Sequence, residues 1–333
     1  MPKGSPIRPE VAVVVPCFNV ERCLQRALDS TFAQTYTDFH VYAVDDGSTD
    51  STIKVLETNA RHCSFVSQPH SGPSAARNRA IQMSSSPYLA FLDADDEWLP
   101  NKLECQMALL KEDPTVGLVS SLCLFSNAEN ESHSIFAKEI PRSGRLFRQL
   151  VRKCFVFTPT VIVRRRCLED VGFFNESLAV SEDFNLWLRI AARWKIAFLP
   201  QLLVISHKRR GSLSATIPAE ERLRNGVAAL EHVQSSCPDL PPTEARALRS
   251  ALAERLYFHG SFLLSVGANE PARRKLASAL KLQPTHWRAL AKLGLGLLPA
   301  RASDLLLGLR TKFTRRSRYT DASQLEPWDA SSI

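Results

Sequence analysis

Three apolar runs in the first hundred residues each end abruptly in a polar cluster, and this pattern constrains the fold more than any other feature of the chain. Val11–Val15 leads into Pro16-Cys17-Phe18-Asn19, Phe39–Val44 into Asp45-Asp46-Gly47-Ser48-Thr49-Asp50, and Tyr88–Leu92 into Asp93-Ala94-Asp95-Asp96. Val13, Val14 and Val15 are β-branched, which suits a strand buried on both faces. Between the runs the apolar spacing becomes helical. Val20, Leu24, Ala27 and Leu28 predict a helix over 20–33. Ile53 and Leu56 predict a second that Thr49 or Asp50 can cap, and residues 74–83 a third. A short strand is expected at Phe65–Ser67. Strands separated by single helices imply parallel crossovers and an α/β, doubly wound sheet. Ligands of such sheets bind outside the carboxyl ends of the strands, so the three polar clusters are expected to converge on one edge.

A chain of 333 residues, 44% hydrophobic and 23% charged, has material for about two domains. It is neither a disordered tail nor a fibre. No run approaches the roughly 18–20 apolar residues of a membrane-crossing helix. Pro16 and Asn19 interrupt the only N-terminal apolar run that a signal sequence could use. A cytoplasmic location is expected. The eight cysteines include no C-x-x-C pair, which fits buried thiols better than zinc ligands or a redox couple. The net charge of +8 resides in residues 241–333, which hold 15 basic and 7 acidic residues; the rest of the chain carries 27 of each sign.

Asp93 and Asp95 place two carboxylates just beyond a strand, where oxygen donors suit Mg²⁺ or Mn²⁺. Alone, the same residues read equally as an acidic start to the helix near Trp98–Leu110. Asp45 can accept a hydrogen bond from a nucleobase imide, whereas Asp46 reads as a turn residue. Arg77 and Arg79 supply guanidinium forks suited to phosphate oxygens, or a solvated helix face. Ser181 can cap a helix whose first turn holds Glu182 and Asp183 and whose buried stripe is Phe184, Trp187, Leu188 and Ala191.

Taken in order, P-x-F-N, DDGSTD, ARN, FLDADD and SEDFNLWLR resemble the inverting family 2 glycosyltransferases of the GT-A fold, over roughly residues 9–215. The resemblance implies a GT-A catalytic domain at 9–218 with a Rossmann-like mixed sheet; beyond it, the apolar pattern and charge predict a helical, basic C-terminal region at 219–313 and a disordered tail at 314–333. It implies a nucleoside-diphosphate sugar donor, with UDP the default, and an Mg²⁺ or Mn²⁺ cofactor. The acceptor would be a carbohydrate or lipid-linked hydroxyl in cell-surface polysaccharide or glycan synthesis. Carried over by position, Pro16 and Phe18 line the nucleoside pocket, Asp45 contacts the base and Arg77 lies near the donor. Asp95 is the direct metal ligand, with Asp93 turned towards the ribose or the metal. Asp183 matches the general base. Such a base takes the acceptor proton while the hydroxyl oxygen attacks the anomeric carbon opposite the diphosphate, inverting its configuration.

The chain departs from the family pattern where Tyr-Arg-x-His usually precedes Ser-x-Ser: it reads Val204-Ile-Ser-His207-Lys-Arg-Arg-Gly-Ser212-Leu-Ser214. His207 is a candidate further metal or phosphate contact, and Lys208–Arg210 either close over the diphosphate or form a solvated loop. Residues 271–298 resemble one tetratricopeptide-like helix pair turning at Pro284. Leu-rich stripes through Phe313 combine with Arg301, Arg310, Lys312, Arg315, Arg316 and Arg318, a pattern suited to peripheral contact with an anionic membrane at the inner face of the plasma membrane, or to an ordinary docked face with a basic, disordered end. Nucleic acid is not an expected partner, because the tail lacks interleaved stacking aromatics. A sugar nucleotidyltransferase would need a Gly-rich phosphate loop where Pro16-Cys-Phe-Asn stands. A non-catalytic nucleotide-sugar-binding or membrane-associated scaffold of the same fold would have no need of acids at 93, 95 and 183.

Overall fold

The computed structural model describes residues 8–127, 132–136, 143–207 and 216–296. Lys208–Arg210, Ser212, Ser214, the basic stretch beyond 296 and the 314–333 tail lie outside the described residues. The described chain divides into two compact units, one within residues 8–150 and 154–207, the other holding 151–153 and 216–296.

In the first unit, β1 (Val11–Cys17), α1 (Leu24–Phe32), β2 (Phe39–Asp45), α2 (Thr52–Thr58), β3 (Cys63–Ser67), α3 (Pro73–Gln82) and β4 (Tyr88–Phe91) alternate as the apolar periods predict. After them come β5 (Glu97–Trp98), α4 (Lys102–Glu112), β6 (Val116–Asn127), β7 (Ser132–Phe136), α5 (Phe147–Arg152, its last two residues grouping with the second unit), a 3-10 turn at Thr158–Thr160, β8 (Ile162–Arg164), α6 (Arg165–Val171), α7 (Glu182–Arg193) and β9 (Lys195–His207). The strands form one sheet in the order β3-β2-β1-β4-β8-β6-β9-β5, with β7 on β6. β1 is central, and Val11–Val15 are fully buried. β1, β2, β3 and β4 run parallel, with Cys17 beside Asp45 and Asp45 beside Ser67, so their carboxyl ends share one edge. β8 enters antiparallel between β4 and β6, which makes the sheet mixed. No local signal in three residues could have announced that pairing.

Seven of the eight cysteines are buried thiols. α7 differs from its predicted stripe, because Glu182, Asn185 and Arg189 are buried beside the apolar residues. Arg189 donates to the carbonyls of Val171, Gly172 and Phe173, and Asn78 holds Phe174 through its backbone N–H and C=O. Phe174 in turn packs with Phe91 and Trp187 at ring separations of 5.4 and 6.0 Å, seating the start of α7 against β4. Ser181 does not cap this helix with its hydroxyl. It sits in the left-handed region (φ 66°), and its carbonyl accepts the Asn185 N–H instead. α2 likewise starts from Ser51 without a side-chain cap; Asp50 accepts from the Thr52 N–H and hydroxyl.

The second unit is helical: α8 (Ala219–Ser236), α9 (Pro242–Ser265), α10 (Asn269–Leu282) and α11 (Trp287–Gly296). Pro284 falls in the turn between α10 and α11. α9 and α10 approach closely at Gly260, where a Cβ would stand 2.8 Å from Leu276 Cγ. Glu254 of α9 pairs with both His286 (2.8 Å) and Arg288 (3.0 Å), tying the turn to the helix. Trp287 and Leu290 are exposed. No described helix is long and apolar enough to cross a membrane.

Candidate active site

The sheet edge gathers the three strand-end clusters as the sequence predicts. The loop after β1 is pinned to the loop after β2: Asn19 N–H donates to Ser48 Oγ, Thr49 N–H donates to Asn19 Oδ1, and Asp46 N–H donates to Cys17 O, all at 2.8–2.9 Å. Phe18 remains 41% exposed beside the half-exposed Pro16. Its ring stacks on His70 with centroids 4.1 Å apart. Asp45 is buried and accepts the Ser48 N–H at 3.2 Å. Asp46 is more than a turn residue. Buried, it accepts from Gln68 Nε2, Ser71 N–H and Gly72 N–H at 2.7–3.0 Å, and pairs with His70 Nδ1 at 2.9 Å. It therefore fixes the segment that carries His70 and the start of α3. Gly47 permits this with φ 77°, since a Cβ there would stand 2.9 Å from His70 N.

Arg77 occupies the centre of the edge. It is only 6% exposed, and its two terminal nitrogens meet Asp93 Oδ1 and Glu182 Oε1 at 2.8 Å each. The guanidinium also lies over the Phe174 ring at 5.4 Å. Arg79, by contrast, points to solvent. Glu182 is a site residue that the sequence pattern leaves looking like an ordinary first-turn acid. Burial and then the charge of Asp183 push its carboxyl up to about 7, against the pull of Arg77. Asp183 is held at both oxygens, by Thr158 Oγ1 at 3.0 Å and by Phe184 N–H at 2.6 Å. Burial raises its carboxyl as well, against the Phe184 bond, the Arg77 charge and the Thr158 bond.

On the far side of Asp93, four acids crowd into five residues. Arg26 of α1 donates to the Asp95 carbonyl at 2.8 Å and lies 3.8 Å from Glu97. His207 closes the group from the end of β9, with Nε2 3.3 Å from Glu97 Oε2 and its N–H donating to Asp96 Oδ1. Asp96 is buried, and burial followed by the charges of Asp95 and Asp93 drives its carboxyl well up. Among the described residues, no three His, Cys, Asp or Glu side chains converge closely enough to coordinate an ion by themselves.

The mixed sheet thus carries an acidic strand-end pair that one buried arginine bridges to a second acidic pair at the start of a helix. Residues 12–172 match the sequence model of Glycosyl transferase family 2. Over 182 residues, 54% of this chain and 69% of the relative, the sequence is 29% identical to the Escherichia coli UDP-Glc:alpha-D-GlcNAc-diphosphoundecaprenol beta-1,3-glucosyltransferase WfgD. It spans 26–65% of the length of matching rickettsial proteins named as glycosyltransferases. The fold resembles S. aureus TarS 1-349 in complex with UDP-GlcNAc, with a TM-score of 0.63 at 22% identity, covering 94% of this chain and 93% of that one. It also resembles the mannosyltransferase PcManGT from Pyrobaculum calidifontis in complex with GDP-Man and Mn²⁺, with a TM-score of 0.53 at 21% identity over 86% and 87% of the two chains. Residues 12–172 are thus similar in sequence to family 2 glycosyltransferases, and the fold is GT-A.

Proposed function

We propose that this protein is an inverting glycosyltransferase that moves a sugar from a UDP-sugar to a hydroxyl of a lipid-linked glycan during cell-surface glycan assembly. The observation that carries the reading is the Arg77 bridge. It joins Asp93, on the donor side of the edge, to Glu182 and therefore to Asp183, on the acceptor side. The lipid-linked acceptor and the UDP donor rest on the likeness to WfgD.

In this reading Phe18 and Pro16 flank the nucleobase, and Asp45 accepts its imide N–H. Asp183 accepts the proton of the acceptor hydroxyl as that oxygen bonds to the anomeric carbon. The carbon–oxygen bond to the diphosphate breaks with its electron pair leaving on the diphosphate. Attack from the opposite face makes one displacement and inverts the centre. Arg77 has its terminal nitrogens engaged by Asp93 and Glu182, so its part is to hold the two acidic groups in register and offset their charge.

The crowded carboxylates at 93–97 fit a hard divalent cation, because oxygen donors suit it and their mutual repulsion, visible in the raised Asp96, is what positive charge relieves. Asp95 and Asp93 would hold Mg²⁺ or Mn²⁺, with His207 at its margin. The rest of the shell would come from water and donor phosphates. The cation supplies charge stabilisation to the diphosphate as the bond breaks. Residues 297–318, with Arg301, Arg310, Lys312, Arg315, Arg316 and Arg318, are proposed to bring the enzyme to an anionic membrane, where a lipid-linked acceptor resides.

The test is UDP release from UDP-glucose with Mn²⁺ and polyprenyl-diphosphate-linked N-acetylglucosamine. Release that requires the acceptor and yields a β-linked product supports the proposal. Absence of release with both UDP-glucose and UDP-GlcNAc overturns the donor assignment.

A further inference from the structure

The 3-10 turn at Thr158–Thr160 touches Asp183 from one side and is gripped from three elements on the other. Trp98 Nε1 of β5 donates to Pro159 O at 2.9 Å, Gln106 Nε2 of α4 donates to Thr160 O at 2.7 Å, and Ser120 Oγ of β6 lies 2.7 Å from Thr160 Oγ1. Thr158, Thr160, Gln106 and Ser120 are all buried. The Thr160 carbonyl can only accept, so it fixes which end of the Gln106 amide faces it. The amide oxygen then faces Lys102 Nζ at 2.7 Å.

Lys102 is the unusual member. It is 0% exposed, its nitrogen lies over the Trp98 ring at 4.1 Å, and burial pulls its ammonium well below the ordinary lysine range. A buried lysine is a costly way to fill space that a methionine could fill. What it does here is orient Gln106 and, with Trp98, complete the underside of the turn. Trp98 stands three residues beyond Asp95, so the grip reaches from the acidic strand-end loop to the residue that holds Asp183.

We propose that Thr158 is the positioning residue of the Asp183 base, and that the buried Lys102–Gln106 pair locks the turn that presents it. This rests on the reading of Asp183 as general base. One oxygen of Asp183 is fixed by the Phe184 N–H and the other by Thr158 Oγ1, which sets the plane of the carboxylate. Thr158 donates, so it favours the ionised form able to take a proton. The charged groups facing Asp183 are Arg77, Glu182 and Asp93. Among the described residues, Thr158 Oγ1 bonds to Asp183 and to none of these three.

The experiment titrates protein labelled with ¹³C at aspartate Cγ, identifying the Asp183 carboxyl as the resonance missing from Asp183→Asn. It is paired with kcat against pH in the UDP-glucose assay. Thr158→Val should move the Asp183 midpoint, and the acidic limb of the rate profile, upward by about one pH unit. It should lower kcat at least tenfold while leaving UDP affinity unchanged, and Thr158→Ser should restore both. The double variant Lys102→Met/Gln106→Leu, which removes the buried charge together with its partner, should move the midpoint in the same direction by less. An unmoved midpoint in Thr158→Val overturns the positioning role, and an unmoved midpoint in the double variant overturns the lock. Should Asp183→Asn turn over at the wild-type rate, the base assignment itself fails, an outcome distinct from either.

Discussion

Arg77 and Glu182 lie 105 positions apart in sequence and meet at 2.8 Å in the centre of the sheet edge. Through that contact the helix carrying Asp183 is registered against the strand end carrying Asp93. Arg77→Ala would leave Glu182 buried beside Asp183 without its counter-charge, a loss of about 3–5 kcal/mol. Arg77→Lys keeps the charge but offers no fork to reach both acids. We expect chemical denaturation to rank the proteins wild type, Arg77→Lys, Arg77→Ala. Equal midpoints for all three would show that the bridge does not stabilise the edge.

Stability and rate should respond to pH with opposite signs. Burial raises both Glu182, to about 7, and Asp183 in the folded protein. The folded state therefore binds protons more tightly than the unfolded chain between about 4.5 and about 7, and stability falls as pH rises through that window. The proposed base, Asp183, works only when ionised, and burial raises its carboxyl, so kcat should climb with pH along an acidic limb that lies above the usual aspartate midpoint. Asp183→Asn should lower kcat by about 10²–10⁴-fold. The same change should raise Tm at pH 8 by about 2–4 °C, the equivalent of about 1 kcal/mol, with little change at pH 4. A Tm gain that is the same at both pH values would contradict the burial argument.

Phe18 presents an exposed ring, backed by His70, at the end of the edge proposed to take the nucleobase. Stacking of a base on an aromatic side chain contributes about 1–3 kcal/mol. Calorimetry should find UDP binding to Phe18→Ala weakened by about tenfold or more, with the fold's melting temperature unchanged because the side chain is not in the core. Undiminished affinity would move the base away from Phe18.

Much of this site is legible in the sequence because its pieces are local. A β-branched run that stops at Pro16, or at Asp45, marks both a buried strand and where its ligand-facing end falls. The convergence of those ends follows from parallel topology alone. What stays hidden depends on partners distant in sequence. Glu182 reads as a helix-dipole acid until Arg77 arrives from α3, and Asp46 reads as a turn until Gln68, His70, Ser71 and Gly72 fold around it. Ser181 was a natural cap by residue type. Its backbone takes a left-handed conformation instead, with no side-chain cap. Thr158 carries no motif at all; only the tertiary contact gives it a role.

The most direct test of the account is thermal shift against UDP, GDP and dTDP, with and without Mn²⁺, on the wild type and Asp95→Ala. At a concentration 100-fold above its dissociation constant, a ligand of the folded state stabilises by about 2.7 kcal/mol. That shift is expected for UDP with Mn²⁺, a smaller one without the cation, and none in Asp95→Ala. No shift with any of the three nucleotides in the presence of Mn²⁺ would contradict a donor site at this edge.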